Sequence, residues 1–75
     1  MIKFDVMNRF SGAVQFTSEI DCKENETTSI KLGLSVKWAI KAGAYLADAD
    51  LAGANLARAN LAGAYLGRAD LARAN

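Results

Sequence analysis

The side chains that offer reactive chemistry in this chain are few, and most of them are acidic. The 75 residues contain one cysteine, Cys22, no histidine, and eight aspartates and glutamates. One short polar segment gathers five charged residues, of which Lys23 is basic and four are acidic: Glu19, Asp21, Glu24 and Glu26. It is the only patch in the chain that one charge sign dominates. A solvated loop is the simpler interpretation of such a segment, and an anionic contact surface for a basic partner is the functional one.

The same inventory argues against an enzyme. Without histidine there is no ordinary general base, and one cysteine cannot assemble the usual zinc spacings. Asp48 and Asp50 are spaced as repeat positions, and no glycine-rich phosphate loop occurs. Cys22 is more simply a polar-loop cysteine than a reactive or interchain thiol. We therefore predict no catalytic residue, no cofactor and no metal.

The overall composition limits the classes of function that remain for this protein. The chain is 52% hydrophobic and 23% charged, with a net charge of +1. This net charge indicates neither a nucleic-acid-binding protein nor a strongly acidic DNA mimic. The most apolar segment, residues 30–47, carries three lysines, which disfavours a membrane span. The N-terminus lacks the basic-then-apolar layout of a signal peptide. We expect a cytoplasmic protein without membrane contact.

Two alternating segments at the start of the chain predict an antiparallel β-hairpin. Lys3 and Asp5 separate the apolar residues of the first segment, and Ser18 is a polar interruption in the second. The apolar positions are Ile2, Phe4, Val6, Val14, Phe16 and Ile20. Turn residues between the segments complete the pattern. One face of this hairpin should be buried.

Residues 30–41 carry conflicting signals. Strict apolar alternation is typical of a strand, whereas the capping residues Thr27 to Ser29 before the segment and Gly43 after it favour a helix. We predict a helix, because on a helical wheel the apolar residues form two faces. One face would cover the hairpin, and the other would cap the segment that follows.

From Ala44 onward the sequence repeats every five residues. Alanine holds the first place, and leucine holds the third place in six units: Leu46, Leu51, Leu56, Leu61, Leu66 and Leu71. A step of five turns ~140° net on an α-helix and changes face in a strand, so neither element keeps the leucines together. A chain that turns one corner per unit keeps all the leucines on the inside, and four units then close a coil of ~20 residues.

These units resemble those of the pentapeptide-repeat family, in which alanine is followed by aspartate or asparagine, leucine and two variable residues. Tyr45 and Tyr65 depart from the pattern at the second place. The first half of the chain is similar to the leader of small phage-borne members in three segments: residues 8–10, 12–17 and 37–41. The resemblance implies a right-handed quadrilateral β-helix. The predicted fold is thus mixed α+β: a β-hairpin and one helix, residues 1–43, cap a β-helix of about one and a half coils, residues 44–75.

A coil of this length sets which residues stack. The expected pairs, twenty residues apart, are Tyr45 with Tyr65, Asp50 with Asp70, Asn55 with Asn75, and Asp48 with Arg68. Tyrosine stacking and the Asp48 to Arg68 ion pair should each stabilise the coil modestly.

The resemblance also implies a function, since some pentapeptide-repeat proteins imitate duplex DNA and occupy DNA-acting enzymes such as gyrase. We predict a phage-encoded, non-enzymatic inhibitor in the bacterial host cytoplasm. Its expected partner is a host DNA-acting or defence complex, of the gyrase, restriction or CRISPR type. Charges on the coil are balanced, so DNA mimicry should depend mainly on the acidic segment. The predicted partner-binding residues are Glu19, Asp21, Glu24, Glu26, Tyr45, Asp48, Asp50, Tyr65 and Asp70.

Two alternatives stay open. One is an assembly module that self-associates, as a homodimer, through the last coil beside Leu66 and Leu71. The other is weak nucleic-acid binding through the lysines and arginines. That second alternative is disfavoured because no aromatic platform is interleaved with the basic residues.

Overall fold

The fold is seen in a computed structural model that describes residues 1–57, 59–61, 64 and 66–74. Three regular elements occur in chain order: β1 (Ile2–Met7), β2 (Val14–Ile20) and α1 (Thr28–Ala42). The two strands pair antiparallel, with Ile2 opposite Ile20. The predicted mixed α+β class, with a hairpin followed by one helix, is confirmed.

A β-bulge interrupts the hairpin close to its turn. Val6 pairs with Phe16 and Met7 pairs with Val14, which leaves Gln15 as the extra residue. A bulge re-aims a side chain, and here the Gln15 amide donates to the carbonyl oxygens of Tyr45 at 2.7 Å and Ala47 at 2.9 Å. The irregularity therefore ties the hairpin to the repeat segment.

Ser18, the predicted polar interruption of the second strand, is completely buried. Its hydroxyl donates to the carbonyl oxygen of Phe4 at 2.9 Å, and its Oγ lies 2.7 Å from the Oγ of Ser35 on the helix. A buried hydroxyl is tolerated where its hydrogen bonds are satisfied. The serine thus joins β1, β2 and α1 inside the core.

Helix α1 is defined by its caps, as predicted. The Thr27 hydroxyl accepts a hydrogen bond from the Ile30 N–H, and Gly43 ends the helix in the left-handed conformation, with a φ of 75°. On the face toward the hairpin, the Trp38 ring stacks on Phe16 with centroids 6.0 Å apart. Val36 and Ala39 are fully buried. The caps outweigh the strand-like alternation of the apolar residues.

The repeat segment turns once per unit. In every unit the carbonyl oxygen of the third-place leucine accepts a hydrogen bond, 2.9 to 3.1 Å long, from the N–H of the next unit's alanine. The fifth place takes positive φ values at Asp48, Gly53, Arg68 and Arg73. Glycine is the residue that adopts this conformation without steric cost, which accounts for Gly53. The corner predicted from the period of five is therefore a tight turn.

Successive layers of the repeat pair through parallel backbone hydrogen bonds. The Leu51 N–H donates to Asp70 O at 2.9 Å, and the Asp70 N–H donates to Ala49 O at 2.8 Å. Asp50 therefore lies beside Asp70, and Asp48 forms an ion pair with Arg68, as the twenty-residue step predicts. The Tyr45 with Tyr65 and Asn55 with Asn75 pairs lie outside the described residues.

The hairpin and helix cover one edge of the first layer. Across the hairpin, the Asp50 N–H donates to Met7 O and the Arg9 N–H donates to Asp48 O, both at 2.8 Å. Along the helix, the Asn55 N–H donates to Ser29 O at 3.0 Å. These contacts satisfy backbone groups that an open edge would expose.

One hydrophobic core runs through both halves of the chain. It includes Val6 from the hairpin, Val36 from the helix and Leu51 from the repeats, all fully buried. The inward placement of the third-place leucines is confirmed for Leu46, Leu51 and Leu56. Burial then declines along the chain, and Leu71 is 39% exposed.

Candidate protein-binding surface

The acidic segment, defined as residues 19–26, lies on the surface where it connects β2 to α1. All four of its carboxylate residues, Glu19, Asp21, Glu24 and Glu26, are exposed. Within the described part of the chain none of them forms an ion pair. Backbone contacts hold the segment: Lys31 Nζ donates to the Glu24 carbonyl oxygen at 2.6 Å, and the Thr27 N–H donates to the Glu26 carboxylate at 3.1 Å.

The predicted carboxylates on the repeats are engaged differently. Asp50 and Asp70 each accept a hydrogen bond from a backbone N–H two residues later, that of Ala52 at 3.2 Å and that of Ala72 at 3.1 Å. Asn55 makes the same contact. This Asx-turn explains why the second place is Asp or Asn. Their first role is to shape the turn.

Asp48 is neutralised by Arg68. The Arg68 Nε lies 3.1 Å from Asp48 Oδ1, and the Arg68 Nη2 lies 3.3 Å from Asp48 Oδ2. Such a fork-shaped pair fixes the relative position of the two layers. Asp48 is therefore a poor candidate for an isolated negative charge facing a partner.

The predicted set contains two tyrosines, Tyr45 and Tyr65. Tyr45 is 62% exposed, and its carbonyl oxygen receives the Gln15 amide. Tyr65 lies outside the described residues. Among the described residues, no hydrogen bond or ion pair joins the carboxylates of the acidic segment to those of the repeats. The predicted residues therefore form two groups.

Sequence reasoning missed a third group, at the hairpin turn. Arg9, Phe10 and Arg68 cluster there, because the turn lies against both layers of the repeat. The Arg9 Nη1 donates to the Arg68 carbonyl oxygen at 2.9 Å, and the two guanidinium carbons lie 5.0 and 5.2 Å from the Phe10 ring centroid. Arg9 and Arg68 are 59 residues apart, so no local pattern signals this arrangement.

Three clefts lie along α1. The described residues that line them are mostly apolar and include Lys37, Lys41, Asn55 and Asn60, with no carboxylate among them. Within the described ranges, no three acidic or cysteine side chains converge as a metal site would require. Cys22 is a free, half-buried thiol. None of the described helices has the length and apolar character needed to cross a bilayer.

Comparison with known proteins places the repeat segment. Residues 42–75 match the family model of pentapeptide repeats, which counts eight copies there. No curated protein and no solved structure matches the chain significantly. The corner at each unit, the inward leucines and the Asx-turns at the second place accompany this match. Residues 42–75 are therefore a segment of pentapeptide repeats, as the family model describes them.

Proposed function

We propose that this chain is a non-enzymatic protein-binding module. The match to pentapeptide repeats supports interaction with proteins in general. The observation that carries the proposal is the acidic segment: four exposed carboxylates without ion pairs, held between a strand and a capped helix. Fixed charges on a rigid support attract a complementary surface with little ordering cost on binding.

The scaffold of this module is a short right-handed quadrilateral β-helix, capped by the hairpin and helix. Supporting it are the corner at each five-residue unit and the parallel hydrogen bonds between residues 49–51 and residue 70. The β-helix positions the cap, and the cap carries the acidic segment.

The target we propose is a basic, DNA-binding surface on a bacterial DNA-acting or defence protein, and the chain is a phage-encoded inhibitor of it. Glu19, Asp21, Glu24 and Glu26 supply the negative charge. On the repeats, Asp48 is paired, and Asp50 and Asp70 shape turns. Mimicry of DNA phosphates therefore rests on the acidic segment and not on the coil face.

Two matched variants test this assignment. Glu24→Gln with Glu26→Gln neutralises the acidic segment, and Asp50→Asn with Asp70→Asn neutralises the coil face; each removes two negative charges. Asparagine already fills the second place at Asn55, so the coil variant preserves the turn. The purified proteins are used to capture partners from a bacterial lysate, followed by elution with duplex DNA.

We expect DNA to elute the captured proteins from the wild type. The Glu24→Gln, Glu26→Gln variant of the acidic segment should capture them more weakly, while the coil variant should behave like the wild type. If the coil variant alone loses capture, the contact lies on the repeat face. If DNA displaces nothing, the mimicry proposal fails even where protein binding persists. If no variant captures any protein, the binding function itself is wrong.

A second candidate is self-assembly through the last coil, favoured by the 39% exposure of Leu71. An apolar side chain beside a strand-like edge promotes pairing with another edge. The wild type would then increase in mass with concentration even in high salt, and Leu71→Asn would abolish the increase. Sedimentation in high salt that shows one monomeric species would exclude this candidate.

A further inference from the structure

The cluster of Arg9, Phe10 and Arg68, hereafter the Arg–Phe cluster, has no role in the core. Phe10 is 62% exposed and lies outside the hydrophobic core. Its position is nevertheless fixed, because the Asn8 side chain accepts hydrogen bonds from the N–H groups of Phe10 at 2.9 Å and Ser11 at 3.0 Å. An ordered, exposed aromatic ring is the kind of residue that interfaces use as an anchor.

Charge at this cluster is positive. Two guanidinium groups lie on the Phe10 ring, and one carboxylate, that of Asp48, offsets one of them. Arg68 is held by its ion pair with Asp48, and Arg9 is held by its bond to the Arg68 carbonyl oxygen. Arginine and aromatic side chains in this arrangement are typical of energetically important interface residues, and guanidinium forks suit carboxylates.

The complementary surface is present on the same chain, at the other end of the hairpin. Strand β2, Val14–Ile20, runs from the turn into the first two residues of the acidic segment, and at ~3.3 Å per residue its seven residues span roughly 20 Å. The described molecule measures 29 by 26 by 24 Å. Because the strand holds the two surfaces apart, they can meet only between copies.

We propose that the Arg–Phe cluster of one copy binds the acidic segment of a second copy. In this contact the Arg9 guanidinium faces Glu24 and Glu26, and the Phe10 ring covers the aliphatic parts of those side chains. A two-fold dimer would form the contact twice, whereas a head-to-tail arrangement would form it once per copy. The inference goes beyond the proposed function, because it needs no partner other than this chain.

A charge-swap experiment tests the contact directly. Arg9→Glu makes the cluster negative, and Glu24→Lys with Glu26→Lys makes the acidic segment positive. Each variant alone should remain near 8.0 kDa in sedimentation at low salt, at concentrations where the wild type increases in mass. Mixed in equal amounts, the two variants should associate again. The negative cluster of the first variant can then bind the positive segment of the second, and the unchanged cluster of the second can bind the unchanged acidic segment of the first.

Three controls separate this contact from others. Lys37→Glu makes the same change in charge as Arg9→Glu at an exposed helix position, and it should associate like the wild type. Phe10→Ala keeps every charge and should weaken association at least several-fold. Raising the salt to ~1 M, where the Debye length is ~3 Å, should disperse the wild type. Circular dichroism melting confirms that each variant is folded.

Several results would overturn the proposal. A wild type that stays monomeric at low salt excludes the contact. A mixture of the two reversed variants that stays monomeric also excludes it, provided that both melt cooperatively. If Lys37→Glu abolishes association as Arg9→Glu does, net charge and not this contact governs assembly. Association that survives both reversals belongs to another surface.

Discussion

At the scale of single residues, polar side chains connect the hairpin to the repeats and to the helix. The Gln15 amide reaches two carbonyl oxygens of the first layer, and the hydroxyls of Ser18 and Ser35 connect the hairpin to the helix. Buried polar groups are costly unless they are paired. These residues therefore determine how the two parts of the molecule are oriented, in addition to contributing stability.

The pair of buried serines predicts a measurable coupling. The Ser18 hydroxyl proton is directed to Phe4 O, so Ser35 donates its proton to Ser18. Ser18→Ala removes the acceptor of Ser35 and the donor to Phe4, and it should lower the free energy of unfolding by about 1–3 kcal/mol. Ser35→Ala removes one bond and should cost about 1 kcal/mol.

Urea unfolding of the two single variants and the double variant measures this coupling. The double variant should lose less than the sum of the single losses, because the hydrogen bond between the serines is removed only once. Strict additivity would show that the two hydroxyls do not interact in solution.

Gln15 provides the second prediction at this scale. Gln15→Glu keeps the shape of the side chain but places a carboxylate against the carbonyl oxygens of Tyr45 and Ala47. We expect a loss of about 1–3 kcal/mol, seen as a fall in melting temperature of roughly 4–8 °C per kcal/mol for a domain of this size.

Two substitutions calibrate the Gln15 result. Gln15→Met removes the donors without adding charge and should cost less than Gln15→Glu. Thr17→Ser, an exposed change on the same strand, should be nearly neutral. If Gln15→Glu melts like the wild type, the amide contacts contribute nothing to the junction between cap and repeats.

At the scale of elements, the sequence predicts the helix and the strands, because these depend on residues that are close together in the chain. Helix α1 follows from Thr27 and Gly43, and the hairpin follows from alternation. The β-bulge at Gln15 and the buried role of Ser18 could not be predicted, because both depend on contacts with distant elements. For the same reason, the Arg–Phe cluster is invisible in the sequence, since Arg68 follows Arg9 by 59 residues.

The acidic segment illustrates the opposite case. Its exposure was predictable from composition, and the structure places it on the surface. The sequence also grouped Asp48, Asp50 and Asp70 with it. The twenty-residue step predicted that Asp48 pairs with Arg68, and the structure shows this ion pair. The turn-forming hydrogen bonds of Asp50 and Asp70 were not predicted. A regular period therefore predicts which side chains meet, whereas the local hydrogen bonds that occupy a carboxylate were not read from charge.

The contact between helix and repeats depends on Gly33. A Cβ at this position would collide with the Asn55 carbonyl oxygen, while the neighbouring Asn55 N–H donates to Ser29 O. Gly33→Ala should raise intrinsic helix propensity by about 1 kcal/mol. We nevertheless expect net destabilisation of about 1–3 kcal/mol from overpacking.

Thermal melting tests this expectation, with Lys37→Ala as the matched control. That substitution lies on the same helix at an exposed position, so its effect should stay within about 0.5 kcal/mol. Stabilisation by Gly33→Ala would show that the helix does not approach residue 55 so closely. It would also remove the explanation for a glycine inside the helix.

At the scale of the whole molecule, backbone pairing and burial are greatest next to the N-terminal hairpin and helix. Backbone groups of the first layer are paired with the hairpin, the helix and the second layer. Leucine burial falls along the repeats: Leu46, Leu51 and Leu56 are buried, Leu61 and Leu66 are half-buried, and Leu71 is 39% exposed. A stack whose units contact only their neighbours should lose stability progressively away from its capped end.

This gradient predicts a graded response to the same substitution. Leu51→Ala removes a fully buried side chain in the first layer and should cost about 2–5 kcal/mol, which a domain of this size can scarcely tolerate. Leu71→Ala removes a side chain that is 39% exposed and should cost about 1 kcal/mol or less. Leu61→Ala, half-buried, should fall between them. Amide hydrogen exchange should follow the same order: the Ala54 N–H, which donates to Leu51 O, should be protected longer than the Ala74 N–H, which donates to Leu71 O. Equal costs at all three leucines would mean that the second layer is as well packed as the first, and that a surface covering Leu71 forms in solution.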